Sequence, residues 1–210
     1  KDGTVWSFGN NTYGELGHGD RTISKTPTMV KDLSDIIKIA TGANHAIALD
    51  KYGDVFVWGH NNVGQLGTGD TKTLDIPTKL NLNGKTIIDI AAGNNNTVLV
   101  TSNGEIIVYG QDKDNLDIAN VKDVAKVAVG EKIIVLTKSG LVQSIGSNVE
   151  TIYNAKDAVD ISANDGAYMI LTKTGEVYTF GQNANGKLGL GTNTDVTAPT
   201  LVDFEQRVID

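Results

Sequence analysis

A sequence repeat constrains the fold of this chain more than any other feature. Five short stretches begin and end with glycine and hold mostly β-branched and aromatic residues. They are GTVWSFG (3–9), GDVFVWG (53–59), GEIIVYG (104–110), GLVQSIG (140–146) and GEVYTFG (175–181). Their first glycines recur at intervals of about 50 residues and then of about 35 residues. The chain is therefore predicted to consist of repeated units.

A second pattern precedes four of these stretches and predicts a β-hairpin. It runs strand, small-residue turn, strand and glycine-containing turn, as in IIKIATGANHAIALDKYG and IIDIAAGNNNTVLVTSNG. The small-residue turn contains Gly42, Gly93 and Gly130 in three copies and Asn164 in the fourth. Because asparagine tolerates left-handed backbone better than most residues do, we expect a positive φ at all four positions.

The apolar residues occur in short runs without a helical period, so the sequence predicts an all-β fold. A unit of about 50 residues with roughly four short strands is typical of a β-propeller blade, which needs its neighbours to complete a core. The predicted units are 3–52, 53–103, 104–139, 140–174 and 175–210. The third and fourth are short and the fifth is truncated, which gives roughly four and a half units.

Three glycine-rich octapeptides follow the repeated strands in the long units. They are YGELGHGD (13–20), VGQLGTGD (63–70) and NGKLGLGT (185–192). Their glycine spacing fits neither a dinucleotide-binding loop nor a P-loop, so we interpret them as wide turns. We expect their leucines, Leu16, Leu66 and Leu188, to pack against a neighbouring blade. Trp6 and Trp58 lie in apolar strands and are expected to pack within blades.

Together these patterns resemble the regulator of chromosome condensation (RCC1) repeat. Its pattern is a strand, W-G-x-N-x-x-G-x-L-G-x-G, a proline-containing loop and A-x-G-x-x-H-(S/T)-x-A-L. The resemblance implies a β-propeller, usually of seven blades. Four and a half units are too few for that ring, so we expect part of a longer array and a partial propeller, either open or completed by another chain. Exposed strand edges would then favour self-association.

The residues that could support catalysis or bind a metal are few. The chain has no cysteine, and no partners at zinc-site or general-base spacing accompany His18, His45 and His60. We expect His45 to be a structural, hydrogen-bonding residue, and we expect no enzyme activity and no cofactor. The stretch DKDNLD offers Asp112, Asp114 and Asp117 as a weak option for calcium. It lacks the glycine and glutamate of a calcium loop, which favours a solvated turn.

From charge and hydropathy we expect neither nucleic acid nor a membrane as a partner. The net charge of -7 and a pI of about 4.9 disfavour binding to nucleic acid. No apolar run approaches the roughly 20 residues that span a bilayer.

The asparagine-rich, cysteine-free composition favours a bacterial source, with a secreted or cell-surface location slightly ahead of a cytoplasmic one.

The loops vary between units while the strands hardly do, which indicates a non-enzymatic protein–protein interaction module. The loop residues expected to contact a partner are Tyr13, Arg21, Ile23, Val63 and Leu74. In the alternative interpretation, Ile23 and Leu74 pack under their own loops. The resemblance implies two further options: guanine-nucleotide exchange on a small GTPase, or inhibition of a β-lactamase by a secreted protein.

Overall fold

The computed structural model describes residues 2–111 and 113–204. Their regular elements are strands, apart from two short 3-10 segments at Lys113–Asn115 and Ala184–Gly186. The prediction of an all-β fold is therefore confirmed. The chain divides into two compact units, which we call unit 1 (residues 1–102 and 106–114) and unit 2 (residues 103–105 and 115–210).

Unit 1 contains three antiparallel sheets, numbered here in chain order. The first sheet consists of β1 (Trp6–Gly9) and β2 (Ser24–Met29). The second consists of β3 (Ile36–Thr41), β4 (His45–Asp50), β5 (Val55–Gly59) and β6 (Leu74–Lys79). The third consists of β7 (Ile87–Ala92), β8 (Asn96–Thr101) and β9 (Ile106–Gly110).

Unit 2 contains two antiparallel sheets of four strands each. The fourth sheet consists of β10 (Val124–Val129), β11 (Ile133–Thr137), β12 (Val142–Ile145) and β13 (Val149–Tyr153). The fifth consists of β14 (Ala158–Asn164), β15 (Ala167–Thr172), β16 (Val177–Gly181) and β17 (Val196–Leu201).

The same strand register recurs in three sheets. The glycine that ends β1, β5 or β16 lies opposite the first residue of the following strand, and an irregularity precedes it in each case. These pairs are Gly9 with Ser24, Gly59 with Leu74 and Gly181 with Val196. The strands β1 and β2 are therefore equivalent to the third and fourth strands of a complete sheet.

Three hydrophobic cores among the described residues are each built by two consecutive sheets. One cluster joins the second sheet, through residues such as Ile47 and Val57, to Ile90 and Leu99 of the third. Leu66 belongs to this cluster and is fully buried, which confirms that the octapeptide leucine packs against a neighbouring sheet. A second cluster joins the first and second sheets, and a third joins the fourth and fifth. No single sheet supplies a whole core, as expected for a repeat protein.

The short predicted repeats differ from the long ones in the connection that follows the third strand of the sheet. In the first, second and fifth sheets this connection covers residues 10–23, 60–73 and 182–195. In the fourth sheet residues 146–148 alone join β12 to β13. Four strands therefore pair without an octapeptide loop.

The expected packing of Trp6 within a blade is wrong, whereas that of Trp58 is confirmed. The Trp58 side chain is 2% exposed and belongs to the core between the first and second sheets. Trp6 is 57% exposed. The physical reason is its place on β1, which pairs with β2 on one side only among the described residues.

The expected positive φ in the small-residue turns is also wrong. None of Gly42, Gly93, Gly130 or Asn164 has a φ in the left-handed region. A close approach explains the glycine at Gly42, because a Cβ atom there would collide with the His45 ring and with the Gly93 carbonyl oxygen. Asn164 fits its turn because no such backbone conformation is required.

Candidate protein-binding surface

One buried asparagine holds each of the long loops in shape. Asn11, Asn61 and Asn183 are fully buried and occupy equivalent positions, two residues after the glycine that ends the strand. Each side-chain carbonyl accepts a hydrogen bond from the octapeptide leucine N–H, at 2.9 to 3.0 Å. Each side-chain NH₂ donates to two backbone carbonyls at the far end of its loop. The buried asparagine side chain therefore links the two ends of each loop.

Sequence reasoning missed the role of these asparagines. The signal is present as the spacing N-x-x-G-x-L, which occurs at residues 11–16, 61–66 and 183–188. A buried side chain that forms hydrogen bonds with three backbone groups fixes the shape of a loop, and the exposed side chains of that loop take no part in these bonds. Those positions are free to vary, and the residue two places after the asparagine is tyrosine, valine and asparagine in the three loops.

Tyr13 lies in the loop 10–23 and is half-buried. Its ring contacts the ring of His60 from the next sheet's loop, with centroids 4.1 Å apart and planes at 31°. Its backbone N–H donates to Glu15 Oε2 at 2.7 Å. Val63 has the equivalent place in loop 60–73, is 38% exposed, and its N–H donates to Gln65 Oε1 at 3.1 Å.

Arg21 is the second candidate that meets the neighbouring sheet. Its Nε atom donates to Asp75 Oδ1 on β6 at 3.0 Å, and about half of the arginine side chain stays exposed. An exposed pair of this kind contributes about 0–1 kcal/mol to stability. The Gly19 N–H also donates to the Asp75 carbonyl at 2.9 Å, so the loop 10–23 is attached to β6 by both backbone and side chain.

The remaining candidates differ in exposure. Ile23 is 62% exposed, but Leu74 is partly buried against the core of the second and third sheets. Sequence reasoning missed Ile76 on β6, which is 57% exposed. It borders the loop 10–23, because a Cβ atom added to Gly19 would lie 3.4 Å from the Ile76 side chain. We call the exposed parts of Tyr13, Arg21, Ile23, Val63 and Ile76 the loop surface.

His45 has the structural role predicted for it. It is 1% exposed, and its Nε2 atom lies 3.0 Å from Thr97 Oγ1, while Nδ1 has no hydrogen-bond partner in the described structure. Burial lowers the pKa of His45 from 6.5 to about 4. The ring is therefore neutral near pH 7.

The aspartates considered for calcium make local contacts. Asp114 Oδ1 lies 2.7 Å from Lys113 Nζ. Asp117 accepts hydrogen bonds from the Asn120 side chain at 2.9 and 3.1 Å. Asp112 lies outside the described residues. Within residues 2–111 and 113–204, no three histidine, cysteine, aspartate or glutamate side chains are grouped to hold a metal ion.

No helix in the described part of the chain is long and apolar enough to span a bilayer.

The exposed Asp70 carboxyl accepts hydrogen bonds from Thr68 and from the Lys72 N–H. These bonds lower its pKa and help to close the loop 60–73. The loop surface thus combines an aromatic ring, a guanidinium group and aliphatic side chains on preformed turns. This is a composition that suits protein recognition.

Solved structures share this fold. The structure of human WBSCR16 matches all of this chain with a TM-score of 0.87 and 24% identity, over 65% of its own chain. Prp20p from Saccharomyces cerevisiae, whose structure was described with its binding properties to Gsp1p and histones, matches with a TM-score of 0.61. That match has 18% identity and covers all of this chain and 76% of Prp20p. The fold is a β-propeller fold with partial blades.

Sequence comparisons agree with the structural ones. The chain is 28% identical to the RCC2 homolog of Danio rerio over 98% of its length and 44% of that protein. It spans between 3% and 44% of the length of six curated relatives that it matches. The model of the regulator of chromosome condensation (RCC1) repeat matches residues 2–49, 52–100 and 174–210, and a related model matches 36–65 and 158–187. The chain therefore belongs to the RCC1 repeat family.

Proposed function

We propose that this chain is a non-enzymatic protein-binding module that recognises its partner through the loop surface. The observation that carries the proposal is the contrast within the loops. The same buried asparagine bonds shape the loops 10–23 and 60–73, while their exposed side chains differ. A rigid scaffold with variable tips is the usual arrangement of a binding surface.

The comparison with Prp20p supports this class of function, because that protein was described as binding Gsp1p and histones. At 18% identity the likeness supports the fold alone, so the partner is left open. We place guanine-nucleotide exchange and β-lactamase inhibition below simple protein binding, because no described residue favours either. A bacterial source and a secreted or cell-surface location stay predictions from composition, and the relatives reported above are eukaryotic proteins.

Self-association through exposed strand edges stays a prediction from the sequence.

Photo-crosslinking tests the loop surface. The photoreactive residue p-benzoylphenylalanine replaces Val63 or Ile23 in the full chain, and Ser102, an exposed residue in the turn after β8, provides the control position. We expect discrete protein adducts at the two loop positions and none at Ser102.

The protein identified in the adduct should then bind the purified chain, and Tyr13→Ala should weaken that binding by about tenfold. Equal adducts at all three positions, or an unchanged affinity of Tyr13→Ala, would contradict the proposal.

A further inference from the structure

Unit 2 contains a cleft between the fourth and fifth sheets. Its volume is about 280 Å³. The apolar part of its lining includes Ile134, Ile152 and Phe180, and its charged part includes Glu131, Glu150 and Asp195. The Phe180 ring stacks on Tyr168, with centroids 5.0 Å apart and planes at 16°.

The short β12–β13 connection explains why this space is open. In the second and third sheets the residue before the strand-ending glycine is covered by the loop of the preceding sheet. Trp58 donates from Nε1 to the Glu15 carbonyl at 2.9 Å, and Tyr109 lies so close to Gly67 that a Cβ atom there would come within 2.6 Å of its ring. Phe180 has the same place before Gly181. The three residues 146–148 replace the long loop of the preceding sheet, and the Phe180 ring, which is 7% exposed, lines the cleft.

The charges around the cleft are mainly negative. The four charged residues that line it are Glu131, Lys132, Glu150 and Asp195. Glu131 Oε1 accepts a hydrogen bond from Gln182 at 2.7 Å, and Asp195 Oδ1 accepts one from the Asn183 N–H at 2.8 Å. These bonds fix two of the three carboxylates in place. Three carboxylates against one ammonium group give a local field that favours a cation.

We propose that this cleft binds a basic side chain, preferably arginine, presented by a partner protein. The aliphatic part of an arginine fits along Ile152 and Phe180, while its guanidinium group reaches the carboxylates. Arginine is favoured over lysine because its planar group pairs with a carboxylate through two hydrogen bonds and stacks on aromatic rings. The inference deepens the proposed function, since it names the chemistry of a partner segment at a second surface.

An NMR titration of the full ¹⁵N-labelled chain tests this inference. The probes are acetylated and amidated tetra-arginine, tetra-lysine and tetra-glutamate peptides. We expect saturable shifts of the amide signals of cleft residues such as Gly166 and Gly181, tighter binding of tetra-arginine than of tetra-lysine, and no shifts with tetra-glutamate. Added salt should weaken the binding, because exposed charges are screened.

Two variants and one matched control make the test specific. Glu150→Gln should weaken tetra-arginine binding by about threefold, whereas Glu176→Gln, the same charge change in unit 2 outside the cleft lining, should leave it unchanged. Thr197→Trp fills the cleft from an exposed position on β17 and should abolish the localised shifts without changing the charge.

Equal weakening by Glu150→Gln and Glu176→Gln, shifts spread over the whole acidic surface, or normal binding by Thr197→Trp would overturn the inference. The crosslinking experiment uses positions 23 and 63 in unit 1, so its outcome does not depend on the cleft. Failure of the titration with intact crosslinking would reject the cleft alone. Failure of the crosslinking would reject the loop surface.

Discussion

At the scale of single residues, buried polar side chains set the geometry of this protein. His45 illustrates the cost of such burial, since it is 1% exposed, bonds to Thr97 and has a pKa lowered to about 4. In the next sheet Asn96 occupies the equivalent place, opposite the strand-ending Gly110, as His45 lies opposite Gly59. An uncharged side chain is therefore accepted at this position.

The lowered pKa of His45 predicts a loss of stability at mildly acidic pH. Between about pH 4 and 6.5 the unfolded chain binds a proton that the folded chain does not, so the free energy of unfolding decreases as the pH falls. From pH 7.5 to pH 5 this contribution is about 2 kcal/mol. Urea unfolding at both pH values should show that decrease in the wild type beyond the one in His45→Asn. An equal decrease in both proteins would contradict the assigned pKa.

At the scale of elements, the loop of one sheet packs on the aromatic residue of the next. Gly67 in the loop 60–73 faces the Tyr109 ring on β9, and a Cβ atom there would come within 2.6 Å of it. Gly64 in the same loop has nearly the same backbone, with φ +76° against +72°, but its Cβ position meets nothing within 4 Å. The two glycines separate backbone strain from packing.

Alanine at these two positions should therefore have different effects on the free energy of unfolding. Gly64→Ala should lose about 1–2 kcal/mol from the left-handed backbone alone. Gly67→Ala should lose about 1–3 kcal/mol more, because the methyl group is forced against a ring in a packed core. Chemical denaturation of the two variants measures the difference. Equal losses would mean that the loop does not pack on β9 as described.

The sequence predicted those strands that combine apolar runs with flanking glycines. The five repeated stretches contain β1, β5, β9, β12 and β16, and the preceding hairpins are also strands. It did not predict β13, because pairing of residues 149–153 with β12 depends on a tight turn without a strong sequence signal. Exposure in the candidate site was less predictable. Leu74 and Ile76 lie on the same strand, and only the neighbouring core and loop decide that the first is partly buried and the second exposed.

At the scale of the whole molecule, a repeated scaffold carries loops whose exposed side chains differ. Cores shared by consecutive sheets supply stability, and buried asparagines hold the loops in a fixed shape. Loops that are already ordered bind with a smaller entropy cost than flexible ones. The short connection 146–148 leaves a cleft beside Phe180. We propose that loop length and loop tips, more than strands, determine which partner is bound.

Amide hydrogen exchange at the octapeptide leucines tests whether the long loops are preformed. The Leu66 N–H donates to the Asn61 side chain at 2.9 Å, and the equivalent bonds at Leu16 and Leu188 are 3.0 Å long. We expect the three amides to exchange as slowly as those of β5, and Asn61→Ala to accelerate exchange at Leu66 while Leu16 and Leu188 stay slow. Exchange of all three amides at the rate of an unstructured chain would contradict the claim that the loops are preformed.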